Sequence, residues 1–336
     1  MKSPITGKEM KLNKEPGALT YRKEEFPVFY HHFLCEDTGE RFTNDELDTI
    51  NIVQVHNQYR EKYGIPFPDE IAAIREKYGV SAGKMSEILG LGVNTYRLYE
   101  SGEMPSVANG RLILSVREPA EFLRQVEAST HLLSEREIQK IRESARKLQV
   151  REVANSWDRM FEEKIFTQRK PDEFTGYKEP QLDKIAQVIA FFNGKMDLYK
   201  TKLNKLFFYA DFCYYQRSGY SMTGIAYRAI PFGPVPAEYQ KMYVKLADDQ
   251  QVEISQVEVG NGNYGEQIRA MHTFDPAYFN PAELEVLEAV ARTFRQRNTD
   301  EVVRISHREA GWAENESDKN LISYQKYAFK TCGVIC

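Results

Sequence analysis

The chain has few cysteines, no long apolar run and no excess of positive charge, and each absence excludes a class of protein. Four cysteines in 336 residues are too few and too scattered for the disulfide framework of a small secreted domain. No run of about 18 apolar residues predicts a membrane span, and the N-terminal MKSPITGKEM lacks the apolar core of a signal peptide. The formal net charge is -4, so no global basic field draws the chain to nucleic acid. We therefore expect a cytoplasmic protein with no membrane partner, in which any DNA contact is local.

The sequence motifs of common enzymes are also missing. The chain has no Walker loop, no HExxH and no GxSxG. Ser306 and His307 suggest a nucleophile and its base, but adjacent residues of a helix point about 100° apart. We therefore predict that the chain is not an enzyme and needs no cofactor. A hydrolase or transferase with an aromatic pocket is the alternative that this prediction disfavours.

Four segments with different patterns follow one another along the chain. Residues 1–65 predict a small β-rich, ribbon-like unit, and residues 66–130 predict five short helices. Residues 131–179 predict a charged helical connector that ends in a linker with Pro and Gly. Residues 180–336 mix helical and strand patterns. The expected fold is therefore multidomain and mainly α, with a C-terminal α+β domain.

The first segment contains two strand-like stretches and one helix. Residues 20–22 and 26–33 are strand-like, and residues 37–40 form a turn. Thr43 is predicted to cap a helix that continues toward Tyr63. The pattern therefore predicts a small β unit that is followed by a helix.

Two short helices joined by a glycine-containing turn lie within the second segment. Ser81 is predicted to cap the first helix, residues 90–92 form the turn, and Gly102 ends the second helix. This order is typical of a helix-turn-helix, whose second helix enters the major groove and which usually binds as a dimer. A packing module without DNA stays open as an alternative. Residues 69–127 hold seven Lys/Arg against nine Asp/Glu, which opposes strong nonspecific DNA binding.

Helical spacing divides the second helix into a core face and an outward face. Val93, Tyr96 and Tyr99 are predicted to face the core. Asn pairs with adenine and Arg with guanine through two hydrogen bonds. The residues predicted to contact DNA are therefore Asn94, Thr95, Arg97, Leu98 and Ser101, with Ser81 and Lys84 as phosphate contacts.

The run GVNTYRLYESG, residues 92–102, resembles the recognition segment of the MqsA/YgiT-type antitoxins. In that family a zinc ribbon precedes a helix-turn-helix, and an Asn and an Arg four residues later read bases. Asn94 matches the first of these positions. Leu98 stands at the second, although Arg97 is adjacent. The resemblance therefore implies double-stranded operator DNA as a partner, with an operator that can differ from those of the family.

The zinc ribbon of that family is altered in this chain. Tetrahedral zinc needs four strong ligands, normally thiolate or imidazole, and one cysteine with three hydroxyls does not supply them. We therefore predict that the N-terminal unit binds no metal. The resemblance places the four former ligand positions at Ser3, Thr6, Cys35 and Thr38.

The stretch from 199 to 239 is rich in aromatic residues and contains a stiff loop. Leu203, Leu206 and Phe207 fall at helical spacing and are expected to face the core. Three prolines in residues 231–236 restrict the backbone, so this loop would lose little entropy on binding a partner. A binding loop and a turn that only positions the next helix are equally supported interpretations.

Residues 180–330 resemble the Panacea, or SocA-like, domain of bacterial and phage antitoxins. The matching motifs are KLNKL at 202–206, YAD at 209–211, Gly224, YRA at 227–229, GPVP at 233–236, Ser306-His307 and Trp312. The resemblance implies that this domain neutralises a protein toxin encoded by the adjacent gene. The residues predicted to face that toxin are Tyr227, Arg228, Phe232, Pro234, Val235 and Tyr239.

The two resemblances together imply an antitoxin of a type II toxin-antitoxin system that also represses its own operon. A homodimer is expected, because helix-turn-helix proteins usually bind paired half-sites. A transcriptional regulator whose C-terminal domain senses a small ligand or another protein is the main alternative.

Overall fold

A computed structural model describes residues 1–154, 165–166, 170–260 and 262–334. It divides into two compact units, Met1–Val55 with Ile165–Cys336, and His56–Lys164. About half of the described chain is helical and its sheets are small, as expected for a mainly helical chain with an α+β part. The finer division into four segments stays a prediction, and residues 155–164 and 167–169 of the predicted connector lie outside the described residues. Within the described ranges, every helix is too short or too polar to cross a membrane.

The N-terminal part of the first unit is a β-hairpin with a short third strand. Arg22 and Lys23 form its turn with φ values of 48° and 70°, the positive values that suit a two-residue turn between twisted strands. Asn44, not Thr43, caps the following helix, because the Asn44 side chain accepts a hydrogen bond from the Leu47 N–H at 3.0 Å. The elements are β1 (Lys11–Tyr21), β2 (Glu24–Leu34), β3 (Arg41–Phe42) and α1 (Asp45–Tyr63), in the sheet order β1-β2-β3.

Two side-chain amides on α1 take the place of a neighbouring strand along β2. Asn51 accepts from the His31 N–H at 2.8 Å and donates to the His31 carbonyl at 2.9 Å. Gln54 makes the same pair of bonds with Phe29, at 2.8 and 2.9 Å. Because β3 reaches only the end of β2, these amides satisfy backbone groups that would otherwise be left unpaired. The helix is thereby fixed to the sheet.

The N-terminal sheet packs against the C-terminal part of the same unit. Phe329 lies 5.6 Å from Phe29 and 4.7 Å from His31, measured between ring centroids. Lys14 donates to the Gln216 side chain at 3.1 Å, and Gln325 donates to the Pro27 carbonyl at 3.3 Å. Residues more than 200 positions apart in the chain therefore share one contact surface.

The second unit is a bundle of short helices around an apolar core. Tyr78 stacks on Phe122 with ring centroids 3.8 Å apart. Ile141 and Ala145 belong to the same core, so the helix of the predicted connector that contains them buries one face in this bundle. The helices after α1 are α2 (Pro68–Lys77), α3 (Ala82–Ile88), α4 (Thr95–Glu100), α5 (Val107–Ser115), α6 (Pro119–Ala128) and α7 (Glu135–Ala154).

The C-terminal part of the first unit mixes helices with two small sheets. One sheet has three strands and the other has two. The helices are α8 (Leu182–Asn193), α9 (Lys200–Ser218), α10 (Tyr239–Asp248), α11 (Pro281–Phe294), α12 (Thr299–Ser306), α13 (Ala310–Ala313) and α14 (Tyr324–Tyr327). The strands are β4 (Leu198–Tyr199), β5 (Tyr227–Ile230), β6 (Gly233–Pro236), β7 (Val252–Gly260) and β8 (Asn263–Ala270). The order in the larger sheet is β4-β8-β7, and β5 pairs with β6 in the smaller one.

Helix α9 is the centre of this part. Leu203, Leu206 and Phe207 are fully buried, which confirms the predicted core face. Three strands of this part were not expected from the sequence: β4 has only two residues, β8 contains Gly, Asn and charged residues, and β6 contains two of the prolines that predicted a loop. Proline is tolerated in β6 because β5 pairs with it on one side only.

Candidate functional site

Hairpin β5-β6 contains most of the residues that the sequence assigned to a toxin contact. Tyr227 pairs with Pro236 and Ile230 with Gly233, so the turn between the strands contains only Pro231 and Phe232. The other edge of β5 bonds to residues 320–322, where Ala229 N–H donates to the Asn320 carbonyl at 3.1 Å. Strand β5 is therefore bonded along both of its edges, and the turn at Pro231 and Phe232 is exposed.

A buried carboxylate anchors the start of the hairpin. Asp211 on α9 accepts hydrogen bonds from the Met222 and Thr223 N–H groups at 2.8 and 2.7 Å. It also accepts from the Thr223 hydroxyl at 2.6 Å and the Tyr227 hydroxyl at 2.7 Å. Burial raises the pKa of the Asp211 carboxyl, while these donors oppose the rise. Asp211 thus fixes the segment that leads into β5.

The base of the hairpin turn is closed by Gly233, Lys205 and Ser306. Gly233 has φ of 96°, a left-handed value that favours glycine. A Cβ at Gly233 would lie 2.5 Å from the Ser306 hydroxyl and 2.7 Å from Lys205 Cε, so glycine is also required for space. Lys205 is fully buried, and its amine has no hydrogen-bond partner among the described residues. Burial lowers the pKa of Lys205 to about 7.

The structure separates the six predicted toxin-facing residues into two groups. Phe232 is 68% exposed at the turn. Arg228, whose guanidinium donates to the Lys319 carbonyl at 2.8 Å, and Tyr239 are partly exposed. Tyr227, Pro234 and Val235 are buried instead, because their side chains serve the packing of the hairpin on α9. Their assignment to a partner surface is therefore corrected to a structural role.

A cavity of about 170 Å³ opens beside the hairpin. The sequence did not indicate it, since its wall combines segments far apart in the chain. Most of the wall is apolar, with one cation and one carboxylate beside it. The lining residues are Phe166, Ile225, Ala226, Arg228, Pro236, Ala237, Glu238 and Leu321.

The seven residues assigned to DNA lie on or beside α3 and α4. Ser81 caps α3 as predicted, its hydroxyl accepting from the Lys84 N–H at 3.2 Å. The Ser86 hydroxyl accepts from the Tyr96 N–H at 3.0 Å and so joins the two helices. Ser81, Asn94, Arg97, Leu98 and Ser101 are exposed, while Lys84 and Thr95 are partly exposed.

The residues just before α4 differ from the helical prediction. The sequence placed Val93 in the core, yet Val93 is 90% exposed. Asn94 is not helical, because its φ is 65°, and α4 begins only at Thr95. The period that assigns Tyr96 and Tyr99 to the core therefore does not extend back to Val93.

Lys84 is bound by two carboxylates of its own unit. Its amine lies 2.7 Å from Glu87 and 3.1 Å from Glu137, and these contacts raise the pKa of Lys84. Glu137 also accepts from the Ser134 N–H and hydroxyl at 2.9 and 2.7 Å. Hydrogen bonds from Ser134 and then Lys84 lower the pKa of Glu137 to about 2. The Lys84 amine, which the sequence assigned to a phosphate, thus stays positively charged, and two carboxylates already balance that charge.

The four residues that the resemblance places at zinc-ligand positions, Ser3, Thr6, Cys35 and Thr38, lie close together. Two turns of the same form carry them, with the Gly7 N–H bonded to the Ser3 carbonyl and the Gly39 N–H to the Cys35 carbonyl at 2.9 and 2.8 Å. The Thr6 hydroxyl lies 3.7 Å from the Cys35 sulfur. Hydrogen bonds from Ser3 and then from Thr38 lower the pKa of the Cys35 thiol to about 7. No group of three or more His, Cys, Asp or Glu side chains that could hold a metal occurs in the described ranges.

Ser306 and His307 engage different partners. The Ser306 hydroxyl donates to the Val303 carbonyl at 2.8 Å. The His307 ring stacks on Trp312 with centroids 3.9 Å apart, and the Trp312 N–H donates to the Ile230 carbonyl at 2.7 Å. Ser306 lies against Gly233 of the hairpin, and His307 packs on the tryptophan that bonds to the hairpin. That the chain is not an enzyme stays a prediction.

Comparison with known proteins bears on the domain that contains the hairpin. Residues 203–313 match the family model described as antitoxin SocA-like, Panacea domain. The match begins in α9, contains Lys205, Asp211 and the whole hairpin, and ends with α13. No curated protein matches the chain. An antitoxin-like domain suggests a role in a toxin-antitoxin system.

Proposed function

We propose that this chain is the antitoxin of a type II toxin-antitoxin system and the repressor of its own operon. The C-terminal domain binds and blocks a protein toxin encoded next to it. Helices α3 and α4 bind double-stranded operator DNA, and a homodimer occupies two half-sites. The match of residues 203–313 to an antitoxin family carries the antitoxin part of this proposal, and the helix-turn-helix pattern of α3 and α4 supports the repressor part.

The turn of hairpin β5-β6 is the part of the domain best suited to contact the toxin. Phe232 presents a large apolar ring to solvent, and aromatic rings are frequent anchors of protein interfaces. Asp211, Trp312 and residues 320–322 all bond to β5, the strand that leads into the turn. A ring on a rigid support loses little conformational entropy when a partner covers it.

The cavity beside the hairpin fits an inserted side chain better than a free ligand. Small-molecule sites usually enclose roughly 300–1,000 Å³, more than the 170 Å³ found here. Its apolar wall would receive an apolar toxin side chain. Arg228 and Glu238 at its border would bond to polar atoms nearby. This size favours a protein partner over the small ligand of a sensory regulator.

Replacing Phe232 with alanine is expected to weaken neutralisation. Loss of an aromatic anchor typically costs about 2 kcal/mol in binding, or about 30-fold in affinity. The measurement is growth of cells that express the product of the adjacent gene together with graded amounts of the full chain. More Phe232→Ala than wild-type protein should be needed for equal growth.

Tyr264→Ala is the matched control, because Tyr264 is also 68% exposed in the same unit. It should protect like wild type. If both variants protect fully, the hairpin turn is not the toxin contact. If the wild-type chain itself gives no protection, the proposed neutralisation is wrong.

The exposed side of α4 supports the proposed operator contact. Arg97 and Leu98 of this helix are exposed, and so are Asn94 just before it and Ser101 just after it. Tyr96 fixes the helix from within, its hydroxyl donating to the Ile71 carbonyl at 2.8 Å. A fixed helix that presents amide and guanidinium groups matches the hydrogen-bonding edges of bases in the major groove.

Asn94→Gly is expected to weaken operator binding by about 5- to 150-fold, because one bidentate base contact contributes about 1–3 kcal/mol. Glycine is preferred to alanine here, since Asn94 has φ of 65° and alanine would add backbone strain. The measurement is a fluorescence-anisotropy titration of the full chain with duplexes from upstream of its own gene. Unchanged affinity in a folded Asn94→Gly variant would place the base-reading surface elsewhere.

Glu137→Gln is expected to tighten operator binding by about two- to fivefold, within the range of surface charge pairs. The change frees Lys84 from one carboxylate and lets its amine meet a phosphate, while glutamine still serves the cap of α7. The dependence of log affinity on log salt should steepen by about one phosphate contact. Glu143→Gln makes the same charge change on α7 and should leave this slope unaltered. Equal slopes for the two variants would mean that Lys84 makes no phosphate contact.

A further inference from the structure

Val93 has no structural reason to be apolar. It is the most exposed large apolar side chain in the described ranges, at 90%. It lies in the turn between α3 and α4, where Gly, Asn, Asp and Ser are the residues that favour a turn. A β-branched side chain is a poor choice for such a position and here gains no burial. A partner that covers Val93 would bury its two methyl groups, which the chain itself leaves exposed.

The turn presents Val93 in a fixed orientation. The Leu91 N–H donates to the Ser86 carbonyl at 2.8 Å, and the Thr95 N–H donates to the Gly92 carbonyl at 3.0 Å. The second of these bonds spans Val93 and closes the turn around it, while the first fixes the segment before it. Valine is β-branched, which restricts the rotation of its side chain. Its two methyl groups are thus presented with little freedom to lose.

The neighbours of Val93 indicate what covers it. Asn94, next in the chain, and Arg97, about one helical turn further on, are exposed hydrogen-bonding groups, and Leu98 adds a second exposed apolar side chain. The major groove offers the same mixture: donors and acceptors on every base pair, and the apolar C5-methyl group of thymine. Valine methyls match the thymine methyl and nothing else on the base edges.

We propose that Val93 contacts the C5-methyl group of a thymine next to the adenine bound by Asn94, and so contributes to the choice of operator. This inference rests on the proposed operator binding by α4. It assigns a base preference to a residue that the helical pattern places in the core.

Replacing thymine by deoxyuridine tests this contact, because the change removes only the methyl group. Duplexes that bind the full chain are selected from a random-sequence library at physiological ionic strength. Each thymine of the selected site is then replaced singly, and affinity is measured by anisotropy. For wild-type protein, one thymine per half-site should show a roughly three- to tenfold loss, as expected for one buried methyl contact.

Val93→Ala should lose affinity for the thymine duplex by a similar factor and no longer distinguish it from the deoxyuridine duplex. Val244→Ala, a change at another exposed valine, should behave as wild type in both respects. An equal deoxyuridine effect in wild type and Val93→Ala, with binding still dependent on Asn94, would overturn the contact while leaving operator binding intact. Failure to select any duplex would instead overturn the proposed DNA binding.

Discussion

Asp211→Ala is expected to lower the free energy of unfolding of the C-terminal domain by at least about 4 kcal/mol, because four buried donors would each lose a partner at about 1–3 kcal/mol. The donors are the N–H groups of Met222 and Thr223 and the hydroxyls of Thr223 and Tyr227. Total domain stability is about 5–15 kcal/mol. Much of the variant should therefore be unfolded near physiological temperature, and it should fail to protect against the toxin.

Urea denaturation of the full chain, followed by tyrosine and tryptophan fluorescence, measures this effect. Asp211→Asn is the graded comparison, because its carbonyl oxygen can keep the two N–H bonds while its amide meets the two hydroxyls. The free energy of unfolding should fall clearly less in Asp211→Asn than in Asp211→Ala. If Asp211→Ala unfolds at the wild-type urea concentration, Asp211 does not anchor the hairpin.

Lys205→Met is expected to stabilise the same domain by up to about 4 kcal/mol near neutral pH, since each pKa unit corresponds to about 1.4 kcal/mol. The pKa of Lys205 is about 7 in the folded chain against 10.5 for a free lysine. Methionine has a similar length and no charge to desolvate, so it should occupy the same space. The measurement is the urea midpoint as a function of pH.

The sign of the pH dependence follows from the lowered pKa. Between about pH 7 and pH 10.5 the unfolded chain binds the Lys205 proton and the folded chain does not. Stability of the wild type should therefore rise with pH across this window. The gain from Lys205→Met should shrink accordingly.

Lys202→Met is the matched control on the same helix. Lys202 is buried like Lys205, but its amine donates to the Arg297 carbonyl at 2.7 Å. Removing that amine leaves a carbonyl without its donor, so no comparable gain is expected. A destabilised Lys205→Met variant would show that the amine has a partner worth more than its burial costs.

Helices with a clear apolar face could be predicted from the sequence, and so could some of their caps. Leu203, Leu206 and Phe207 recur at helical spacing, and Ser81 stands at a capping position; both patterns are local. Val93 shows where local period misleads: it fits the spacing of Tyr96 and Tyr99, but the backbone leaves the helix at Asn94. A positive φ at a non-glycine residue is not visible in hydrophobic spacing.

The candidate site itself depends on contacts between distant segments. Asp211 of α9 and Tyr227 of β5 meet only in the folded chain, and the cavity needs Leu321 beside Ala226. Motif order indicated that the YAD and GPVP runs belong to one domain. It could not distinguish the buried Tyr227 from the exposed Phe232, since both are aromatic residues in the same short stretch.

Binding of the full chain to the purified product of the adjacent gene tests the central claim most directly. Calorimetric titration of the two proteins should give a stable complex with a dissociation constant in the nanomolar to micromolar range, about -12 to -8 kcal/mol. The same toxin preparation should lose its activity as the complex forms. A saturating amount of folded chain that binds no neighbour protein and leaves its toxicity unchanged would contradict the account.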